Sequence, residues 1–568
     1  MTKFWALILA LAWIIPNSLS STEQTFPSIA DLAQTIIKSD WKMLDHSDIE
    51  SNKTIEQKQT RIFQKFKQVS EILRQLEEPI SAISYDDVFD EIIRISAQSP
   101  HQYLYNLFNK IVITEIKAYV VIQFSYAILE VHAGGYFSTE SSLANEQIRY
   151  ILQKLLQETI QVTGNLSRHY WKDDPVQYRK GENYLEISRL LQGYVINEKI
   201  LNNGKSCYGK CETFKEVDIV KCHNDPFCRK QSRCGGKVYS CRSLETIDMQ
   251  ICLAPAGTSR RYNYIEYANH NTLGVKSTCP TPKINVKAWI GWCPYCMCFC
   301  DDEGMFSDRY FSLKGAESDT ENNKVVTGIR FAKKNKIIHL QIQQGEILPH
   351  GLINATTLEW VPVNNFKIND RFIYNGQDYL KMTWKDKTID LNVIDVDNTH
   401  RHQHEVLTGV RFFAYRSGIN PNDKPMHLKF EIRMTKFHFE SGQLFKNAND
   451  WYRNYKTEFS PVPRTKIPTN DLDIPTRTKS RTKSKNTIVS RGDQFVEFTH
   501  TDMFKDAGQT TIPFIDSQDV VTTVPTPLVG AGVYYKSTPG YGGFIGLKIV
   551  TYDLLQIVRP RVTADLSG

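Results

Sequence analysis

The sequence predicts an α+β protein in three parts: an N-terminal α-helical bundle, a disulfide-rich central segment, and a C-terminal all-β domain with internal repeats, β-prism-like or a β-sandwich. Three observations carry this. All 12 cysteines lie between Cys207 and Cys300. Apolar residues before them recur at helical spacing. Those after them fall in short β-branched and aromatic runs with turn residues between. The boundaries that follow are 1–20 for a leader, 21–205 for the bundle, 206–302 for the stapled segment, 303–459 for two β repeats, 460–491 for a basic insertion and 492–568 for a closing repeat.

At 568 residues the chain has length for about three or four domains. With 41% hydrophobic and 23% charged residues it has the composition of a folded protein. Lys3, an apolar run from Trp5 to Ile15, and small residues up to Ser20 predict a removed secretory signal. The next most apolar stretch, 111–131, is interrupted by Glu115, Lys117 and Glu130, so no transmembrane segment is expected. The expected location is therefore secreted and extracellular. In an oxidising compartment an even, clustered set of cysteines reads as disulfides. Asn52, Asn165 and Asn354 head sequons and are the expected glycosylation sites.

From residue 27 to 201 the spacing is helical. Ser28 caps a helix carrying Ile29, Leu32, Ala33, Ile36 and Ile37; a second carries Ile62, Phe63, Phe66, Val69, Leu73 and Leu76 and stops at Pro79. A third runs from Asp86 to Ser99. The stretch 101–132 is apolar on most faces, as in the middle of a bundle, and Gly134-Gly135 ends it. Further helices are expected at 142–162 and 184–201, five to seven in all.

The centre has the order Cys207, Cys211, Cys222, Cys228, Cys234, Cys241, Cys252, Cys279, Cys293, Cys296, Cys298, Cys300. Its periodicity is poor, so cross-links must supply order by restricting the unfolded chain. Six bridges are expected, with connectivity open.

Beyond Asp302 the chain repeats. Val326-Thr327-Gly328-Ile329-Arg330-Phe331 precedes Ile338–Ile342 in number 338–342; Leu407-Thr408-Gly409-Val410-Arg411-Phe412 precedes 426–430; a looser Gly530-Ala531-Gly532-Val533-Tyr534-Tyr535 precedes 545–549. Each reads as a hairpin, with another strand 18 to 20 residues upstream of Gly328, Gly409 and Gly530. The insertion 460–491, rich in Pro, Thr, Ser, Lys and Arg, is expected to be disordered. Residues 462–491 hold eight basic and two acidic residues, most of the net charge of +7. The remainder is near neutral, so nucleic-acid binding is not expected.

The Cys207-Tyr208-Gly209-Lys210-Cys211 opening, the run Trp292-Cys293-Pro294-Tyr295-Cys296-Met297-Cys298-Phe299-Cys300-Asp301-Asp302, the repeated Thr-Gly-Ile/Val-Arg-Phe and the closing 540–548 resemble a family of secreted arthropod proteins catalogued as a domain of unknown function. The resemblance implies extracellular residence and an insect-like source. It implies no activity or cofactor.

Candidate chemistry is sparse, and no complete catalytic constellation is present. Cys293-Pro294-Tyr295-Cys296 matches a glutaredoxin redox tetrapeptide, yet Cys298 and Cys300 follow in an alternating, extended pattern that favours structural bridges. His400, His402 and His404 would share one face of a strand and suit zinc or copper, or form a solvated loop. Arg491-Gly492-Asp493 is an adhesion tripeptide in an expected loop. The run 476–485 reads as a linker or as a site for an anionic polysaccharide. Arg330 and Arg411 hold equivalent repeat positions facing an acidic ligand or a sheet carboxylate; Tyr534, Tyr535 and Tyr541 are candidates for stacking on sugar rings. The expected function is non-enzymatic binding or structural work outside the cell, with a glycan or matrix ligand. A redox or metal-binding protein and a venom or salivary effector are the alternatives.

Overall fold

A computed structural model of the chain describes residues 98–554, with breaks within 107–135 and at 164–165, 208–209, 219–220, 245–247, 269, 288–292, 305, 397–403, 417–424, 446–450, 453–464 and 478–486. The leader, the helices expected before residue 98, Asn52, Asn165, His400, His402 and most of the basic run lie outside the described residues.

The α+β division with a helical first half is overturned: among the described residues strand predominates. Among the described residues, helix is confined to pieces between Pro100 and Tyr126, to Ser138–Thr163, and to helices of four or five residues at Glu198–Leu201, Pro226–Lys230 and Met503–Asp506. The helix expected over 184–201 is instead two strands, Tyr184–Leu185 and Gln192–Asn197, ahead of a single helical turn capped by Asn197. Its apolar residues are buried on both faces, and such a run gives no usable periodicity. Arg189 and Leu191, at φ 60° and 54°, break any helix between them.

The chain divides into two units, one of residues 1–170, 522–524 and 551–568, the other of 171–521 and 525–550. In the first, Phe108, Leu155 and Leu156 form a small core, Ser99 Oγ and Thr551 Oγ1 are 2.8 Å apart, and His101 Nε2 meets Asp553 at 2.9 Å.

Three hairpins belong to the second unit, save for the last residue, Thr551: Lys324–Lys334 with Ile337–Leu348, Glu405–Arg416 with Met426–Lys436, and Leu528–Ser537 with Phe544–Thr551. Each second strand takes a short parallel neighbour, respectively Tyr310–Ser312, Thr388–Asp390 and Phe514–Asp516. A few residues later each repeat crosses to another hairpin. Ala316–Glu317 pairs with hairpin two, Asn392–Asp395 with hairpin three, and Val520–Val521 with hairpin one. The exchange closes in a ring, which pairs strand edges that would otherwise invite association. Phe331 stacks on Phe412 at 6.2 Å and Phe311 meets Phe412 edge-on at 5.9 Å, joining repeats one and two.

The repeated Thr-Gly has a geometric cause. Thr327 and Thr408 are the extra residues of β-bulges at the same place in hairpins one and two. The following glycine lets the crossing strand approach: a Cβ on Gly328 would sit 2.3 Å from Val521 Cγ1.

The cysteine segment is also strand. Tyr295–Asp301 lies between Gln192–Asn197 and Lys237–Ser243, buried throughout. Alternation puts Cys296, Cys298 and Cys300 on one face, bridged to Cys211, Cys241 and Cys234; Tyr295 and Met297 pack in the core of the other face. Cys207–Cys293, Cys222–Cys228 and Cys252–Cys279 complete six bridges. Part of the expected disordered insertion is ordered. Thr465–Lys466 pairs with Gln494–Glu497, Thr487–Val489 pairs with Leu528–Ser537, and Leu472 and Ile474 pack on Ile512 and Phe514. Those two apolar residues supply the burial that composition alone obscured.

Arg309, fully buried, donates to Asp301, Met382 O, Arg189 O, Asp302 O and Ser307 Oγ. Arg309→Met should cost about 3–5 kcal/mol by leaving Asp301 buried and unpaired, measured by denaturant unfolding. His339, 2% exposed with Nε2 unpartnered, has its pKa pushed down from 6.5 to about 4 by burial. Between those values the unfolded chain binds a proton that the folded one does not. Stability should therefore fall by up to about 3 kcal/mol as pH drops from 6.5 toward 4, and His339→Leu should flatten that slope in urea titrations.

Candidate functional site

A cleft of about 640 Å³ opens where the segment 186–189, the turn at 257–260, Phe306 and residues 474–477 and 509–511 converge. Its cations are held by shared carboxylates. Asp302 Oδ2 accepts from Arg189 Nη1 at 3.2 Å and Arg261 Nη2 at 2.5 Å; Asp506 Oδ1 accepts from Arg260 Nη1 at 2.8 Å and Arg477 Nη2 at 3.4 Å. Asp473 also meets Arg477 at 3.0 Å. Three of these guanidiniums, Arg189, Arg260 and Arg477, line the cleft and meet three carboxylates, while Arg261, itself buried and outside the lining, shares Asp302 with Arg189. Lys180 and Glu186 at the rim pair with each other, and Asp308 pairs with Lys333, so both pairs balance.

Arg189 is the most constrained member. It is 5% exposed, sits at φ 60°, and lies 5.7 Å from the Phe306 ring, which is 43% exposed. Its Nε has no hydrogen-bond partner. Burial and the neighbouring Arg261 lower its pKa, with Asp302 opposing. Ser188, Thr258, Ser259, Thr510 and Thr511 add polar lining. The arrangement offers charge, hydroxyls and one aromatic face, the elements that hold an anionic, hydroxyl-rich ligand.

The residues expected from sequence fall elsewhere, except that Thr476 and Arg477, the described start of the basic run, line this cleft. Arg330 stacks on Trp360 at 4.1 Å and pairs with Asp519; Arg411 stacks on Trp451 at 4.3 Å and pairs with Glu431 at 2.6 Å. Tyr534 and Tyr535 are 1% and 2% exposed, so they pack the interior and present no face to a sugar. Tyr541 is half-buried, its backbone bridged to Asp473. Arg491 and Asp493 close on each other through two hydrogen bonds of 3.1 and 2.7 Å, which occupies both charged ends of the adhesion tripeptide. His404, the one described member of its cluster, stacks on Phe439 at 4.7 Å, and burial lowers its pKa. Asn354 caps a short turn while its Nδ2 donates to Glu346 at 3.0 Å. Sequence reasoning missed Arg189 and Arg260. For Arg189 the paired Asp301-Asp302 directly after Cys300 was the available signal, since adjacent buried carboxylates demand cations; Arg260 pairs with the distant Asp506 and had no such signal.

Residues 91–342 match a family described as a domain of unknown function, DUF4803, which ends inside hairpin one and covers less than half of the chain. No curated protein matches the chain. Among the described residues no helix is long and apolar enough to cross a membrane, and no group of three or more His, Cys, Asp or Glu is placed to hold a metal ion.

The redox tetrapeptide is divided between two bridges, Cys207–Cys293 and Cys211–Cys296. A non-reducing peptide map should recover those two links and no Cys293–Cys296 link, and alkylation before reduction should label no cysteine.

Proposed function

We propose that the protein works outside the cell as a non-enzymatic binding protein whose cleft takes an acidic glycan. The observation that carries this reading is the trio of guanidiniums at a hydroxyl-lined cleft, with the Nε of buried Arg189 unsatisfied. Extracellular residence is supported by the signal-like leader, the sequons and six bridges, which persist in oxidising compartments. An arthropod source rests on the resemblance of the cysteine run and the repeated motifs.

The basic residues from Lys479 to Lys485 follow Arg477 in sequence and add to the positive charge of this part of the chain. Binding should then weaken with salt, as Coulomb contacts do. Arg477, 40% exposed, is the informative residue to change, because Arg260 continues to neutralise Asp506. Calorimetry with a sulfated hexasaccharide, a carboxylated one and a neutral one should give binding to one or both acidic sugars only. Arg477→Gln should weaken it about tenfold, one charge-assisted contact, at unchanged melting temperature. Equal affinity for the neutral sugar would remove the reading.

A further inference from the structure

Repeats one and two carry the same arginine in different surroundings, and the difference is informative. In repeat one, Arg330 lies on Trp360, donates through Nε to Gln341 Oε1 at 2.8 Å, and through Nη1 to Asp519 Oδ1 at 3.0 Å. In repeat two, Arg411 lies on Trp451 and donates through Nε to Glu431 Oε2 at 2.6 Å. Gln341 and Glu431 are equivalent, each directly opposite its arginine in the hairpin. Among the described residues the two terminal nitrogens of Arg411 donate to nothing, and the side chain is 27% exposed.

The empty place follows from the ring of crossing strands. Val520 pairs with Ile329 and Ala316 pairs with Val410, so the residues just before them, Asp519 and Gly315, correspond. Where repeat one brings a carboxylate from another repeat to its arginine, repeat two brings a glycine. A Cβ on Gly315 would stand 3.0 Å from Trp451 Cζ2, so the glycine also makes room for the indole that supports Arg411. In the third repeat Tyr534 holds the arginine's place, and Lys548 lies over Trp171 at 4.3 Å, 7% exposed.

We propose that Arg411 is a carboxylate-binding site, its guanidinium held flat by Trp451 and fixed through Nε by Glu431 so that both terminal nitrogens present a fork, and that Asp519 on Arg330 is the internal counterpart of the missing ligand. A fork held this way favours a planar two-oxygen group over a point charge. The ligand is a uronate residue of an acidic polysaccharide. The polysaccharide class rests on the reading of the cleft, whereas the carboxylate preference rests on the repeat comparison alone.

The test uses the full chain carrying Arg477→Gln, which weakens the cleft, with trigalacturonate as the probe and its methyl ester as the uncharged control. Calorimetry should count one site, absent for the ester. Arg411→Gln should lower affinity at least tenfold, and Arg411→Lys, which keeps the charge and loses the fork, at least fivefold. Asp519→Ala should free Arg330 and raise the count to two; it leaves Arg411 and Glu431 untouched, so it reports even if the Arg411 variants fold poorly. Binding of the ester with equal affinity, Arg411→Lys within twofold of its parent, or a count still at one after Asp519→Ala would overturn the proposal. If the chain without Arg477→Gln binds no better than the chain with it, the cleft reading fails and this one stands or falls on its own arms.

Discussion

The buried Arg309 guanidinium is the interaction on which the second unit depends. Burying an unpaired cation costs several kcal/mol, and the cost is offset only when every donor finds an acceptor. Arg309 has five N–H groups, and five acceptors meet them, three of them backbone carbonyls at Arg189, Asp302 and Met382. Those acceptors come from the segment between two N-terminal strands, from the end of the cysteine strand and from the chain just beyond repeat one's short strand Tyr379–Lys381. Asp301 also accepts from Trp384 N at 3.0 Å through its second oxygen. A single charge therefore sets the positions of chain segments that no disulfide joins, since all six bridges lie within 207–300.

The adjacent cleft follows from the same hub. Arg189 O is held by Arg309 and by Asp302 N at 3.0 Å, while its side chain meets the Asp302 carboxylate. With both ends fixed, the residue takes a left-handed φ that a non-glycine residue adopts at a cost of about 1–3 kcal/mol. The scaffold supplies that energy, and its result is a guanidinium presented beside an exposed phenylalanine at the edge of a cavity. Rigid elements hold the charge in place, and a ligand need not order it.

How much of this was legible depended on whether the signal was local. The alternation of Cys296, Cys298 and Cys300 reads correctly as an extended strand because strand period is a local property. The Thr-Gly pair marks a hairpin because bulge and glycine are local too. The helical reading of 184–201 fails where burial on both faces erases the period. The sequence motifs align 426–430 with 338–342, yet the parallel strands set Leu428 against Ile338, a shift of two. The strands of hairpin two are separated by nine residues of sequence, 417–425, against two in hairpin one, and this difference in length hides the shift. Trp360 and Trp451 escaped notice for the same reason: 30 residues separate Arg330 from its indole and 40 separate Arg411 from its own.

An internally repeated chain separates scaffold from site without any second sequence. Phe331 and Phe412 keep their aromatic role across the seam between repeats one and two, and Thr327 and Thr408 keep the bulge. The position next to the phenylalanine is less constant: it holds arginine twice and a buried tyrosine once. Around it the supporting carboxylate changes from Asp519 to nothing at Gly315, and the opposite residue changes from Gln341 to Glu431. If these arginines served only to brace the sheet, each would gain most from a full set of partners, and the glycine at 315 would forgo a charge-assisted bond worth about 1.5–3 kcal/mol. A brace is therefore a complete account of Arg330 and an incomplete one of Arg411.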